Sequence, residues 1–284
     1  MNMEKRLQAA KAAFKNADCV LIGAGAGFSA AAGLTYSNKR FTDNFQAFIQ
    51  KYGMTDMYSA GFYPFPSEEA KWAYWAKHIE INRFAPPALP LFQTLFELVK
   101  NKNYFVITTN VDAQFYKTGF AAERIFATQG DYGKLQCATG CHKTLYDNGD
   151  LVKQWLNHTD CNTLEIPTEL VPQCPKCGGK MAMHLRIDGN FVENAEWHAA
   201  SARYAEFAQQ SLHGNTVYLE LGVGYNTPGI IRYPFEKMTY DNPDATLVRI
   251  NRDEPQGFAE TAAQTVAFTE DPKMVLENLM ENTK

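Results

Sequence analysis

The sequence predicts an α/β fold in which a parallel β-sheet carries helices on both faces. Apolar runs of strand length recur at residues 19–22, 104–108, 216–221, 246–250 and 264–268. Helical segments separate several of these runs, and the first run ends in glycines. Runs that are apolar throughout are typical of parallel strands buried on both faces. Their alternation with helices indicates a Rossmann-like sheet.

Two helical segments are predicted in addition to the apolar runs. Residues 4–17 place Leu7, Ala10, Phe14 and Ala17 on one face, which is the spacing of an amphipathic surface helix. Residues 192–211 are a predicted helical segment between two of the apolar runs. Both segments are expected to cover the sheet.

Two further segments interrupt the alternation and predict additional modules. Residues 36–95 are rich in aromatic side chains and are interpreted as a small helical insertion. Residues 131–190 hold five of the six cysteines and are interpreted as a zinc-binding module. The Rossmann-like domain would then consist of residues 1–35, 96–130 and 191–284.

Four of these cysteines have the spacing of zinc ligands. The pairs are Cys-x3-Cys and Cys-x2-Cys, and a tetrahedral structural zinc takes four such thiolates. The predicted ligands are Cys137, Cys141, Cys174 and Cys177. His142, His158 and Cys161 lie between the pairs and stay open as substitutes. A redox-active Cys-x-x-Cys is disfavoured, because Cys174 does not open a helix that follows a strand.

Charge and hydropathy exclude several classes of partner. The formal net charge is −4 and no run of Lys or Arg occurs, so the basic footprint of a nucleic-acid binder is missing. No apolar stretch approaches the length of a membrane span, and the N-terminus lacks the apolar core of a signal peptide. We expect a cytoplasmic protein that contacts neither nucleic acid nor membrane.

The glycines of residues 23–27 follow the first apolar run directly. Glycine there lets a backbone approach a pyrophosphate closely and present N–H donors to it. The motif departs from G-x-G-x-x-G, and no acidic residue stands about 20 positions on to hold a ribose. A tight structural turn remains the alternative to nucleotide binding.

A longer series of motifs resembles the sirtuin family in the family's order. Gly-Ala-Gly-Phe-Ser-Ala-Ala-Ala-Gly-Leu at 25–34 resembles G-A-G-I-S-x-x-S-G-I, and Thr-Thr-Asn-Val-Asp at 108–112 resembles T-Q-N-I-D. Gln-Gly at 129–130 stands at the family's His-Gly, Gly-Val-Gly at 222–224 stands at G-T-S, and Ile-Asn at 250–251 matches I-N. With the zinc cysteines, the resemblance spans roughly residues 20–270.

The resemblance implies a fold that binds NAD as cosubstrate and zinc as a structural ion. It implies catalytic roles for Asn110, Asp112 and Gln129. Asn110 would hold the ribose or a water, and Asp112 would lie at the nicotinamide pocket. A polar turn that caps the next helix is the alternative for both. The residues implied to contact NAD are Gly25, Ala26, Gly27, Ser29, Ala30, Tyr36, Thr109, Asn110, Asp112, Gln129, Gly222, Gly224 and Asn251.

Departures from the sirtuin pattern point to one branch of the family. Residues 35–37 replace P-D-F-R, and no V-x-F-G-E strip is recognisable near residues 191–193. These features resemble the macrodomain-linked sirtuins of microbes, called class M. That class is associated with mono-ADP-ribosylation of a lipoylated carrier similar to the glycine-cleavage H protein. The resemblance implies a macrodomain hydrolase as its counterpart.

The departure at Gln129 bears directly on the chemistry. Deacylation by a sirtuin needs a base that takes a proton from a ribose hydroxyl, and an amide does not titrate. A general base contributes about 10²- to 10⁴-fold to a rate. We therefore predict little deacylase activity, and the resemblance implies an NAD-dependent protein mono-ADP-ribosyltransferase. A deacylase that tolerates Gln129 and a non-catalytic sensor of NAD or ADP-ribose remain the alternatives.

Overall fold

The computed structural model describes residues 2–280. The strands are β1 Cys19–Ala24, β2 Tyr104–Thr108, β3 Ile125–Ala127, β4 Gly130–Cys137, β5 Tyr146–Asp147, β6 Met181–Leu185, β7 Thr216–Leu221, β8 Thr246–Ile250 and β9 Thr265–Phe268. The α-helices are α1 Met3–Asn16, α2 Ala26–Ala31, α3 Asn38–Tyr52, α4 Met57–Ala60, α5 Glu68–Ile79, α6 Pro90–Val99, α7 Gln114–Lys117, α8 Gly149–His158, α9 Ala195–Gln210, α10 Arg232–Asp241 and α11 Pro272–Met280. Shorter turns are the π-helix Glu80–Phe84 and the 3-10 helices Ala122–Arg124, Thr168–Leu170 and Ala259–Gln264.

The described chain divides into two compact units. Of the described residues, the sheet unit contains 2–33, the segment Ala88–Gln129 and 195–280. The insert unit contains Leu34–Pro87 and Gly130–Asn194.

The sheet unit is built on six parallel strands in the order β3-β2-β1-β7-β8-β9. This order corresponds to the 3-2-1-4-5-6 arrangement of the Rossmann fold. The predicted α/β class with a Rossmann-like parallel sheet is thereby confirmed. Strand β3 was not predicted, because three residues are too few to show a pattern.

Both faces of this sheet are buried. Within β1, Val20 and Ile22 enter the core cluster that also receives α1, α6 and α11. Leu21 enters the opposite cluster, which receives α9 and α10. Neighbouring strand residues point to opposite faces, so burial on both sides explains why the runs are apolar throughout. The segments predicted as helices at 4–17 and 192–211 are α1 and α9.

The insert unit joins helices to a three-stranded antiparallel sheet in the order β5-β4-β6. Its core is aromatic, as the composition of residues 36–95 suggested. Trp72 of α5 packs against Trp155 of α8 with ring centroids 4.9 Å apart and ring planes tilted by 33°. Helix α6 belongs to the sheet unit, because Phe92 and Leu95 pack into the core of the parallel sheet.

Candidate active site

The predicted site residues of the sheet unit follow the carboxyl ends of parallel strands. Gly25 follows β1, Thr109 follows β2, Gly222 follows β7 and Asn251 follows β8. Carboxyl ends of parallel strands meet at one edge of the sheet. In a sheet of this order, ligands bind outside that edge where the strand order reverses, between β1 and β7.

Gly25, Gly27 and Gly222 pack backbone against backbone at this reversal point. The Gly25 amide donates to the Leu221 carbonyl and the Gly27 amide donates to the Gly222 carbonyl, each at 3.0 Å. A Cβ atom added at Gly25 or Gly27 would stand 2.7 or 2.8 Å from the Gly222 oxygen. Gly222 has φ +58°, which few side chains tolerate. The three glycines are required by the fold itself.

Helix α2 leaves its first residues open to solvent. Ala26 and Gly27 are exposed, Ala30 is half-buried, and Ser29 is buried. Gly25 caps this helix without a side chain. The Gly27 and Phe28 amides donate to the carbonyls of Gly222 and Gly25. Most donors of the loop therefore serve the fold, and the exposed backbone at Ala26 is the surface that a ligand could approach.

Asp112 holds the turn between β2 and α7. Its Oδ1 accepts a 2.9 Å hydrogen bond from the Gln114 amide, and its Oδ2 accepts a 2.5 Å hydrogen bond from the Ser29 hydroxyl. The intervening Ala113 has φ +58°, a left-handed conformation that costs about 1–2 kcal/mol for a residue with a Cβ. Asp112 thus caps a strained turn and also ties that turn to α2.

Asn110 is different, because part of its side chain is unpaired. Its amide N–H donates to the Thr108 hydroxyl, which in turn donates to the Ala24 carbonyl, at 3.0 and 2.9 Å. Asn110 is 8 % exposed, yet its side-chain Nδ2 has no hydrogen-bond partner among the described residues. A buried unsatisfied amide costs about 1–3 kcal/mol. Such a donor is suited to an oxygen of a bound ligand or of a water.

Gln129 and Thr109 lie at the same edge of the sheet. Gln129 comes two residues after β3 and is half-buried. Within residues 2–280 its side chain forms no hydrogen bond. Thr109 donates its backbone amide to the Ala24 carbonyl at 3.1 Å, which joins the ends of β1 and β2. The amide of Gln129 is therefore available to donate and accept.

Asn251 ties together the loops that follow β7 and β8. Its Nδ2 donates to the Val223 carbonyl at 2.8 Å, and its Oδ1 accepts from the backbone amides of Asp253 and Glu254. One N–H of the side chain remains for a ligand. Gly224, also predicted at the site, is exposed in the loop after β7.

A buried ionic network beneath these loops was not predicted from the sequence. Glu220 of β7 and Arg249 of β8 are register partners and form two hydrogen bonds, at 2.7 and 2.9 Å. Glu236 and Arg232 complete the network. Burial lowers the pKa of Arg249, but the bonds and charge of Glu220 outweigh that effect and the pKa is raised. A charged residue inside each of two apolar runs was the available signal.

Arg232 of this network reaches both site loops. Its Nη1 donates to the Val223 carbonyl at 3.1 Å, and its Nη2 donates to the carbonyls of Glu254 and Gln256. Its guanidinium lies 4.3 Å from the ring centre of Tyr225. Arg232 therefore holds the loops that carry Gly222, Gly224 and Asn251 in place.

Tyr36, predicted to contact NAD, lies in the insert unit within an aromatic cluster. Its hydroxyl is 2.8 Å from that of Tyr132, and its ring meets His78 edge-on. Burial lowers the pKa of His78 to about 3, with Arg40 nearby adding to the effect. His78 is therefore neutral at physiological pH. The contact of Tyr36 with NAD stays a prediction.

The four predicted zinc ligands converge in the insert unit. The Sγ atoms of Cys137 and Cys177 are 3.7 Å apart, as are those of Cys141 and Cys174. Tetrahedral zinc with Zn–S bonds of about 2.3 Å requires S–S edges of about 3.8 Å. All six cysteines of the chain are free thiols. The predicted four-cysteine cluster is confirmed, and its thiols fit a structural zinc ion.

Solved structures of sirtuins share this fold. One sirtuin structure matches with a TM-score of 0.60 and 18% identity, covering 100% of both chains. Sir2 with a p53 peptide and NAD+ matches with a TM-score of 0.58 and 17% identity, covering 99% of this chain and 98% of that chain. The sheet, the site loops and the cysteine cluster therefore belong to a protein of the Sir2 fold.

Two relatives define the family more closely. The "Protein ADP-ribosyltransferase" of Staphylococcus aureus (strain Mu50 / ATCC 700699) is 34% identical over 279 residues, which cover 98% of this chain and 88% of that protein. The chain belongs to the family of this ADP-ribosyltransferase. The "Probable bifunctional ADP-ribose hydrolase/ADP-ribosyltransferase" of Fusarium oxysporum f. sp. cubense is 36% identical, covering 82% of this chain and 40% of that protein.

No protein-family model matches the sequence. Among residues 2–280, no helix has both the length and the apolar character needed to cross a membrane.

Proposed function

We propose that this chain is an NAD-dependent protein mono-ADP-ribosyltransferase. Membership in the family of the S. aureus ADP-ribosyltransferase and the Sir2 fold support this function. The observation that carries it is the amide of Gln129, which follows β3 at the position where the sirtuin pattern has histidine. This amide positions groups by hydrogen bonding and cannot act as a base.

The proposed reaction transfers ADP-ribose from NAD to a protein nucleophile. The bond from ribose C1′ to nicotinamide breaks, its electron pair leaves with neutral nicotinamide, and the acceptor forms the new bond to C1′ while losing a proton. The positive charge that develops on the sugar is stabilised by fixed dipoles in a site that excludes water. Asn110 and Gln129 are the two uncharged polar side chains at this edge to which we assign that role.

Asn110 and Asp112 have separate roles in this proposal. The unpaired Nδ2 of Asn110 donates to a ribose oxygen or to a water on it, which satisfies the buried amide. Asp112 acts on the neighbouring loop, because both its oxygens are engaged by Gln114 and Ser29. It holds the loop after β2 and helix α2 in fixed positions relative to each other around the bound nucleotide.

The cradle for the dinucleotide is the contact of Gly25, Gly27 and Gly222. Side chains at these positions would collide with backbone, and the exposed backbone at Ala26 borders the reversal point of the sheet. Asn251 contributes its remaining N–H to the adenosine ribose. We assign Ser29, Ala30, Thr109 and Gly224 to the same binding surface.

The proposed acceptor is a lipoylated carrier protein similar to the glycine-cleavage H protein, as in the class M sirtuins. A macrodomain hydrolase that removes the modification is the proposed counterpart. The Fusarium relative, whose name joins a hydrolase to a transferase, supports this functional link. We infer a cytoplasmic setting, which suits the free thiols of the cysteine cluster.

Transfer is tested with NAD labelled in its adenylate moiety, added to the purified chain with a lipoylated and an unlipoylated H-like carrier. We expect label on the lipoylated carrier in proportion to nicotinamide released. Label on both carriers would contradict the lipoyl requirement. An acyl-ADP-ribose product from an acylated peptide would instead establish deacylation, and NAD bound without turnover would establish a sensor.

A further inference from the structure

We propose that the zinc site has five donors, and that His142 replaces Cys177 as a zinc ligand when that thiolate is lost. This metal site lies in the insert unit, and its exchange of ligands does not depend on the transfer reaction. The contacts of His142 with the cysteine cluster support the exchange.

His142 lies within coordination reach of three of the thiols. The ligand atoms of Cys137, Cys141, His142 and Cys174 all lie within 4.8 Å of one another. The Nδ1 atom of His142 is 3.0 Å from the Cys141 Sγ and 3.9 Å from the Cys174 Sγ. With a Zn–N bond of about 2.0 Å and Zn–S bonds of about 2.3 Å, the tetrahedral N–S edge is about 3.5 Å, which lies between these two distances.

The other ring nitrogen of His142 has an oxygen partner. Its Nε2 is 2.9 Å from the Tyr146 hydroxyl. Histidines that bind metal usually donate their second N–H to an oxygen, which leaves the ligating nitrogen with a free lone pair. When Nε2–H donates to Tyr146, the lone pair of Nδ1 faces the thiols.

Two tetrahedral sets thus share three thiolates and differ in the fourth donor. Cys137 and Cys174 are buried, and Cys141 contacts both His142 and Cys174. These three thiolates therefore belong to both sets. Cys177 is exposed and completes the four-sulfur set through its 3.7 Å contact with Cys137. Zinc in structural sites takes four ligands, so His142 and Cys177 compete for one position.

The competing interpretation makes His142 a hydrogen-bond donor to a thiolate. In that case Nδ1–H donates to the Cys141 Sγ at 3.0 Å, and the ring never contacts the metal. Removal of Cys177 would then leave three ligands and weaken zinc binding, whether or not His142 is present.

The test measures zinc per chain in full-length variants after dialysis against a chelator. We expect Cys177→Ser to retain one zinc, Cys177→Ser/His142→Asn to lose it, and His142→Asn alone to retain it. Cys174→Ser is the matched control and should lose zinc, because Cys174 belongs to both sets. Loss of zinc from a folded Cys177→Ser chain, or its retention in the double variant, would overturn the proposal.

Cobalt substitution reports the ligands without any activity measurement. The thiolate-to-cobalt charge-transfer intensity should fall by about a quarter between the original chain and Cys177→Ser, as a sulfur is replaced by nitrogen. Alkylation of Cys177 in the folded, zinc-loaded Cys161→Ser chain removes that thiolate without the need to fold a variant that lacks a zinc ligand. Modification of Cys177 with zinc retained supports the inference, and release of zinc with that modification refutes it.

Discussion

The Ser29 hydroxyl donates a 2.5 Å hydrogen bond to the carboxylate of Asp112. Both side chains are buried, and they come from segments 83 residues apart in the sequence. The bond joins helix α2, which follows the glycine loop, to the turn that carries Asn110. The bond thereby links the motif at residues 25–34 to the motif at residues 108–112 in the folded chain.

This relationship predicts energetic coupling between Ser29 and Asp112. Each of the single variants Ser29→Ala and Asp112→Asn should lower the free energy of unfolding by about 1–3 kcal/mol, because a buried partner is left unsatisfied. The double variant should lose less than the sum of the two, with a coupling energy of about 0.5–3 kcal/mol. Urea denaturation of all four proteins measures it, and strict additivity would show that the bond contributes nothing.

Asn110→Ala should abolish transfer while preserving stability. The substitution removes the unpaired Nδ2, so the free energy of unfolding should stay within about 1 kcal/mol of its original value. Asn251→Ala is the contrasting variant, since it removes one hydrogen bond between the loops after β7 and β8 and two within the loop after β8. It should destabilise by about 1–3 kcal/mol or more. Thermal unfolding and labelling assays distinguish the two. A strongly destabilised Asn110→Ala would assign that side chain to the fold alone.

Gln129→His should introduce a pH dependence that the original chain lacks at this position. An imidazole with an ordinary pKa of about 6.5 carries a positive charge below that pH and is neutral above it. The charge disfavours the developing ribosyl cation, so we expect transfer to fall as the pH drops below about 6.5. Transfer rates of both proteins, measured from about pH 5.5 to about pH 8.5, check this expectation. That range extends about one pH unit below the imidazole pKa and about two units above it. Identical profiles would place residue 129 away from the sugar.

Gly222→Ala should destabilise the chain by about 2–5 kcal/mol. The positive φ contributes about 1–2 kcal/mol and overpacking about 1–3 kcal/mol, because the added carbon would overlap the Phe28 amide nitrogen. Gly224→Ala is the matched control two residues on. There the nearest atom, the Glu254 Oε2, is 3.5 Å from the added carbon, so little change is expected. Midpoints of urea unfolding compare the two, and equal midpoints would argue against the close backbone contact.

Arg249→Met should destabilise by about 3–5 kcal/mol, because Glu236 then loses its buried ion pair and Glu220 keeps only its 3.4 Å pair with Arg232. Arg249 is completely buried and bonded to both. Arg252→Met removes an arginine three residues on whose ion pair with Asp253 is exposed. That control should change stability by about 0–1 kcal/mol. Denaturant titrations of both variants at pH 7 decide the point, and similar losses would mean that the network is dispensable.

The placement of the candidate site residues was largely predictable, because they follow recognisable strands. The apolar runs placed Gly25, Thr109, Gly222 and Asn251 at carboxyl ends, and parallel pairing brings such ends to one edge. The roles of Asn110 and Asp112 were harder to separate. They stand two residues apart in one polar turn, and only their contacts show that Asp112 caps the turn while Asn110 keeps an unpaired donor.

The sequence alone determined the α/β class, the placement of the predicted site residues at the strand ends and the four thiols of the metal cluster, because burial on both faces and ligand spacing leave local patterns. Only the tertiary structure decided the pairing of Ser29 with Asp112, the bond between Glu220 and Arg249, and the approach of His142 to the cysteines. Each of these depends on side-chain contacts across strands, loops or turns whose geometry no local periodicity encodes.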